Sequence, residues 1–276
     1  MIYPLPSTPT VSQITIYPIK SLDGISLQKG MIAAGGCLLH DRQFAIVDLN
    51  GKFINGKSNP MVHLLRSSID FDTGIISFGH RQDTVWQRFT LEQEKETIDA
   101  YLTDFFKIEA QLIQNNEGQF MDIPDISGIT ILSTNSLQSV SQWYHNISIE
   151  ETRKRFRATI EIEGVPDFWE DHLFSLPGKS IELVIGNVTV YGMSPRERCI
   201  VPTRNPDTGE GLHAFAKTFA RNRAATLPHW SKLQDYGHYY YLSVDCYIPS
   251  TEFGKWVHIG DEIKIIGEKI LDLTQA

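Results

Sequence analysis

Ser180–Met193 reads SIELVIGNVTVYGM. Ile181, Leu183 and Ile185 fall on one side of an extended chain, Gly186-Asn187 supplies a turn, and Val188 and Val190 resume the alternation. A period of two residues broken by such a dipeptide specifies an antiparallel hairpin, not a helix. The pattern recurs along the chain. QITIYPI (13–19) places Ile14 and Ile16 on one face, and SIDFDTGIISFG (68–79) turns at Asp72-Thr73-Gly74. RQFAIVD (42–48) and KFI (52–54) read as a hairpin closing near Asn50-Gly51, and WVHIGDEIKIIGE (256–268) supplies a final turn and strand. Three helices interrupt the strands. Thr90 is expected to cap a helix over 91–107, with Gln93 completing a capping box and Ile98, Tyr101, Leu102 and Phe105 as its apolar stripe. A second follows ILSTNS (131–136) with Leu137, Val140 and Tyr144 inward, and a third covers 212–225 with Leu212, Phe215, Ala216 and Phe219 inward. Many short strands and few helices predict a mainly β, α+β chain built on barrels or folded sheets. The loop-rich stretch IQNNEGQFMDIPDISG (113–128) separates a part over 11–118 from a part over 125–276.

Composition narrows the function. The chain has 276 residues, a net charge of -8 and 3 cysteines. An acidic balance argues against a general nucleic-acid binder. No apolar run is long enough to span a membrane. The N-terminus lacks a basic region followed by an apolar core, so no signal peptide is expected. Few, widely spaced cysteines fit a reducing cytoplasm better than a disulfide framework. Neither a C-x-x-C pair nor an H-E-x-x-H motif occurs, so the chain offers no zinc ribbon and no iron–sulfur site of its own.

The chemistry gathers at PRERCIVPTRNPDTG (195–209). Cys199 lies beside Arg198, with Arg196 and Arg204 near it in sequence. Cations next to a thiol favour the thiolate, which is both nucleophile and soft metal ligand. The alternative is a buried structural cysteine, and for Cys37 and Cys246, in apolar strand-like surroundings, that reading wins. Further basic residues occur at Arg153-Lys154-Arg155-Phe156-Arg157 and at Lys217, Arg221 and Arg223. Arginine suits forked recognition of phosphate. Gathered together, and joined by Lys20, Ser21 and Arg42 at strand ends in the N-terminal part, these residues would form a pocket for a compact polyanion beside a thiolate.

The segments ITIYPIKSLDGISL (14–27) and DRQFAIVDLNGKFI (41–54) resemble the N-terminal β-barrel domain that precedes a MOSC domain. RFRATIEIEGVPDFWEDHL (155–173), RCIVPTRNPDTGE (198–210), GHYYYLSVDCY (237–247) and IGDEIKI (259–265) resemble the MOSC domain itself. This family includes the mitochondrial amidoxime-reducing components and bacterial reductases of N-hydroxylated bases. The resemblance implies a MOSC-type β-barrel with an N-terminal β-barrel-like domain, and a molybdenum cofactor, Mo-molybdopterin, whose metal Cys199 ligates. By position, Lys20, Ser21, Arg42, Asp125, Ser127, Arg157, Arg198 and Tyr239 match cofactor-contacting residues. Thr159, also expected to bind the cofactor, by a shorter-reaching hydrogen bond, stands where the family usually has the asparagine of Arg-Phe-Arg-Pro-Asn, and Val201-Pro202-Thr203 replaces the usual Thr-Thr after the cysteine. The implied activity is reduction of N-hydroxylated substrates with electrons from a separate ferredoxin-like or cytochrome/flavin-type donor protein. The alternative is a cofactor carrier or a persulfide sulfur-transfer module. Neither a membrane anchor, a ferredoxin domain nor a desulfurase domain is expected on this chain.

Overall fold

A computed structural model describes residues 8–116, 119–123, 126 and 128–271. The alternating stretches form strands where the sequence places them. β1 (Thr10–Ile16) leads to β2 (Ile25–Leu27), β3 (Lys29–Met31) and β4 (Phe44–Val47). β5 (Leu65–Asp70), β6 (Ile75–His80) and β7 (Gln87–Thr90) make a three-stranded antiparallel sheet. Helix α1 (Lys95–Phe106) and β8 (Gln111–Gln114) close this half. Then come β9 (Thr130–Ser133), α2 (Thr134–Gln142), α3 (Ile149–Phe156) and β10 (Ile160–Glu163). The hairpin β11 (Ser180–Ile185) and β12 (Val188–Glu197) precedes α4 (Phe215–Ala225), β13 (Tyr241–Tyr247), β14 (Trp256–His258) and β15 (Ile263–Lys269). The fold is mainly β with a few helices.

The largest sheet has eight strands in the order β15-β11-β12-β13-β9-β10-β1-β2. Its one parallel contact joins β9 to β10, with α2 and α3 as the crossover. The first two strands of the chain therefore belong to the same sheet as the C-terminal strands, and β3 pairs with β14 from the far end of the sequence. Ile14, Ile131, Ile160, Leu183, Val190 and Val244 fill the core beneath this sheet. A second core, with Ile46, Phe78 and Leu102 at its centre, lies among β4 to β8 and α1. A third packs α2, α3 and α4 together through Leu137, Phe156 and Phe219. Burial of these apolar faces against one another is what holds the layers.

Four expectations are corrected. Helix α1 begins at Lys95, not Leu91. Thr90 still pairs with Ile75 in the β ladder, and the N-cap is instead Glu94, whose carboxylate accepts from the Thr90 N–H at 2.7 Å. The hairpin at Asn50-Gly51 forms but is shorter than expected: Val47 bridges Phe53, the Asp48 N–H donates to the Lys52 carbonyl and the Ile54 N–H to the Ile46 carbonyl, both at 2.9 Å, while the longer partner of β4 is β8. Helix α4 starts at Phe215 because Ala214 adopts φ +57°, which leaves Leu212 exposed outside the helix. Helix α3 is additional. Its start is legible in hindsight, since Ser148 caps it by accepting from the Glu151 N–H at 3.1 Å.

Candidate functional site

A cleft of about 800 Å³ opens between the β4–β8 half and the helices and strand ends of the large sheet. Lys20, Ser21, Arg42, Arg157, Arg198 and Cys199 all line it. These six, named from scattered positions in sequence, converge on one space. Asp125 and Ser127 lie outside the described residues. Thr159 and Tyr239 do not line the cleft. Thr159 is buried in the sheet, where its hydroxyl accepts from the Thr130 N–H at 2.7 Å and its N–H donates to the Thr130 hydroxyl at 3.0 Å. Its short side chain is thus committed to strand pairing. Tyr239 packs at the margin of the large core.

Each cleft residue is placed by its element. Cys199 follows the end of β12 and is the exposed member of the three cysteines. The Val201 N–H approaches its Sγ at 3.5 Å, and Val201–Thr203 form a short 3-10 turn with Pro202 at its start. Helix α3 braces this loop from below. Arg155, itself buried, donates through Nη1 to the carbonyls of Pro202 at 2.7 Å and Arg204 at 2.5 Å while pairing with Glu151 at 2.6 Å. The Pro-Asp-Thr-Gly turn then ties the loop to the other half of the molecule. Asn205 Oδ1 accepts from the Asp207 N–H at 2.8 Å, and Asp207 pairs with Arg81 and lies 3.5 Å from Arg66, both in the β5–β7 half. Gly209 closes the turn at φ +75°, where a Cβ would stand 2.8 Å from the Pro60 carbonyl oxygen, so a side chain fits neither the dihedral nor the space.

Tyr17, which carries no local mark in the sequence, joins Arg42 to Arg157 within the cleft. Its ring carries the Arg42 guanidinium at 4.8 Å and the Arg157 guanidinium at 3.9 Å. Its N–H donates to fully buried Asp41 at 2.7 Å, and Asp41 also pairs with Arg42. Lys20 donates to the Phe120 carbonyl at 2.7 Å and to Asp122 at 2.6 Å. Arg196 reaches both Asp122 at 2.9 Å and Asp245 at 2.5 Å.

Charge accounting shows what the cleft lacks. Lys20, Arg42, Arg66, Arg153, Arg155 and Arg196 all have carboxylate partners. Among the described residues Arg157, Arg198 and Arg204 have none. Arg198 lies over Phe156 at 5.2 Å and donates Nη2 to its carbonyl at 2.9 Å, but its buried Nε and Nη1 are without partners. The buried Nε of Arg204 and Nε2 of His63 are likewise unpartnered. Burial, and then Arg204, Arg157 and Arg155 around it, push His63 down to about 4, so it adds no charge near neutrality. Buried guanidinium donors without partners are costly unless a ligand satisfies them, and an excess of guanidinium groups selects an anion. By contrast, burial pushes the Cys37 thiol up to about 12 and the Cys246 thiol well above the ordinary range. Both are inert packing groups.

Fold and site together define a class: a two-module β protein that sets one exposed thiol at the lip of an arginine-rich cleft. The family described as the MOSC N-terminal beta barrel domain matches residues 8–122, and the MOSC domain family matches residues 127–264. The chain belongs to the MOSC family, with that N-terminal domain preceding it. Among its relatives, the mitochondrial amidoxime-reducing component 1 of Homo sapiens is 25% identical, the alignment covering 94% of this chain and 83% of that protein. The mitochondrial amidoxime reducing component 2 of Bos taurus is 27% identical across 72% of this chain and 68% of its own length. A molybdenum cofactor sulfurase of Drosophila persimilis is 24% identical over 79% of this chain but only 32% of the sulfurase. No helix among the described residues is long and apolar enough to cross a membrane.

Proposed function

We propose that this protein is a molybdenum-cofactor-dependent reductase of N-hydroxylated compounds. The observation that carries the reading is that exposed Cys199 shares a cleft with three arginines, Arg157, Arg198 and Arg204, that have no carboxylate partner among the described residues. The residues fit the cofactor. No group of three or more His, Cys, Asp or Glu among the described residues could hold a metal ion by itself, so a metal at Cys199 must bring other donors with it. The dithiolene of molybdopterin is such a donor set, and a thiolate is the ligand type a soft site selects. Arg157, Arg198 and Arg204 would receive the anionic parts of the pterin, with Lys20, Ser21 and Arg42 lining the same cleft. The names of the relatives, amidoxime-reducing component and molybdenum cofactor sulfurase, support the same cofactor chemistry.

When bound, the cofactor supplies two-electron reduction of an N–O bond. The bond breaks, two electrons and two protons enter, and an N–H compound and water leave. The protein's share is different. Arg155 and the turn at Asn205 fix the cysteine loop. Tyr17 fixes Arg42 and Arg157. In this reading the electrons would come from a redox centre of ferredoxin, cytochrome or flavin type outside these 276 residues, which hold neither a C-x-x-C cluster site nor a G-x-G-x-x-G nucleotide motif. Such encounters are small and transient. The test supplies an amidoxime or hydroxamic acid to the purified holoprotein. Turnover is expected with dithionite-reduced viologen or a reduced donor protein, and none with NADH or NADPH alone. Molybdenum bound without turnover under any reductant would overturn the reductase reading in favour of a cofactor carrier.

A further inference from the structure

A second hollow meets the first at Cys199. It is an apolar groove of about 470 Å³ on the α4 side of the cysteine, and Arg198 and Cys199 line both it and the basic cleft. Ile200 and Leu212, both exposed, form its rims, and Ala214, Phe215 and Ala216 line it from the start of α4. This lining is preorganised. Phe215 stacks on Tyr144 at 4.4 Å, and its carbonyl accepts from the Tyr144 hydroxyl at 2.9 Å. Tyr240, also lining the groove, stands edge-on to buried Phe219 at 5.2 Å.

Two further observations say what the groove takes. Its charged lining residues are Arg198 and Lys217, with no Asp or Glu among them, whereas the larger cleft mixes both signs. A cationic guest is therefore repelled, and a neutral or anionic one is favoured. The wall shared with the cysteine also holds three buried polar atoms that have no partner among the described residues: Tyr240 Oη, Arg198 Nε and Arg198 Nη1. All three can donate, so an acceptor oxygen arriving beside Cys199 satisfies what the protein leaves open.

Building on the reductase reading, we infer that this groove is the substrate-selectivity site. It holds the flat apolar body of a neutral or anionic N-hydroxylated compound, an aryl hydroxamic acid being the matching chemistry. The ring lies between Leu212 and Ala216, the acceptor oxygen faces Arg198 and Tyr240, and the N–O group is directed to Cys199. Apolar pockets of this kind discriminate by roughly 10–200-fold in kcat/KM.

The experiment compares benzhydroxamic acid, acetohydroxamic acid and an aryl N-hydroxyguanidine as substrates of the holoprotein, with reduced viologen as donor. Ala216→Trp, which fills the groove, should lower the benzhydroxamate-to-acetohydroxamate ratio of kcat/KM by about tenfold or more. Lys217→Glu, an exposed substitution that leaves the fold intact, should shift preference toward the guanidine by a similar factor, about tenfold. Lys264→Glu, remote and exposed, should change neither ratio. In parallel, 19F NMR follows 4-fluorobenzhydroxamic acid on unreduced protein, where line broadening is expected in the parent and its loss in Ala216→Trp. If the protein holds molybdenum and reduces both hydroxamates but neither ratio moves, the groove assignment is overturned while the reductase reading stands. If turnover is absent altogether, the reductase reading falls, and the NMR arm alone decides the groove: equal broadening in parent and Ala216→Trp overturns it.

Discussion

Arg157 ends helix α3 at φ +54°, a position where the backbone favours glycine. Ser21 at φ +74° and Arg42 at φ +53° share the left-handed conformation and the same cleft. For a residue with a Cβ this costs roughly 1–2 kcal/mol, and such outliers cluster where a side chain is needed in one place. Arg157→Gly should therefore leave the melting temperature at or above the parent's, since the relieved backbone offsets the roughly 1 kcal/mol lost with the Tyr17 contact. Cofactor content should fall sharply in the same variant. A clear loss of stability without loss of cofactor would show that Arg157 is structural. The cysteines separate in the opposite way. Cys199→Ala should abolish activity at unchanged stability, whereas Cys37→Ala and Cys246→Ala should each cost about 1 kcal/mol in denaturant unfolding and spare activity at matched stability. Equal activity losses in all three would contradict the assignment. Residues of this kind were legible where chemistry is local, as at Arg198-Cys199. They were not legible where a role depends on what the fold brings near: Tyr17, His63 and Arg66 carry no local mark, and Thr159 was drawn into strand pairing that its own neighbours do not announce.

The hairpins at Gly74 and Gly186 were readable because side-chain alternation and turn chemistry coincide there. Helix starts were harder, because tertiary pairing at Thr90 and the positive φ of Ala214 override capping patterns. One short element hides a titration. The 3-10 turn Trp169–Leu173 buries Glu170 and Asp171 beside Arg223 of α4. Burial, and then Asp171, push Glu170 up to about 7 from 4.5, with Ser136 donating to Oε2 at 2.8 Å and Oε1 unpartnered. The folded state thus holds a proton that the unfolded state releases. The contribution favours folding below pH 4.5 and is lost as pH rises toward 7. Glu170→Gln keeps the hydrogen-bonding shape without the charge. It should gain stability over the parent as pH rises through that window, by roughly 3 kcal/mol at most, and show no gain below it. Denaturant unfolding at a series of pH values measures the difference. A constant offset at every pH would show that Glu170 does not titrate there.

At the scale of the whole molecule, an acidic chain concentrates arginines that have no carboxylate partner among the described residues in one cleft between two packed halves. The loop-rich stretch over 113–128 marks the passage between the halves in sequence, but not their packing. Strands β1 and β2 sit in the C-terminal sheet, so the N-terminal residues Lys20 and Ser21 emerge directly from that sheet's edge onto the cleft. Sequence separation and spatial neighbourhood part company here because sheet order is set by long-range pairing. The Pro206–Gly209 turn clamps the same two halves through Asp207, with Arg66 and Arg81 on one side and Lys154 on the other. The central claim, that this cleft holds a molybdenum cofactor through Cys199, is tested most directly by elemental analysis of protein purified from cells that synthesise molybdopterin. The account predicts molybdenum equimolar with the chain in the parent and none in Cys199→Ala of equal folded content. A parent protein free of molybdenum from such cells, or a Cys199→Ala variant that retains it fully, would contradict the account.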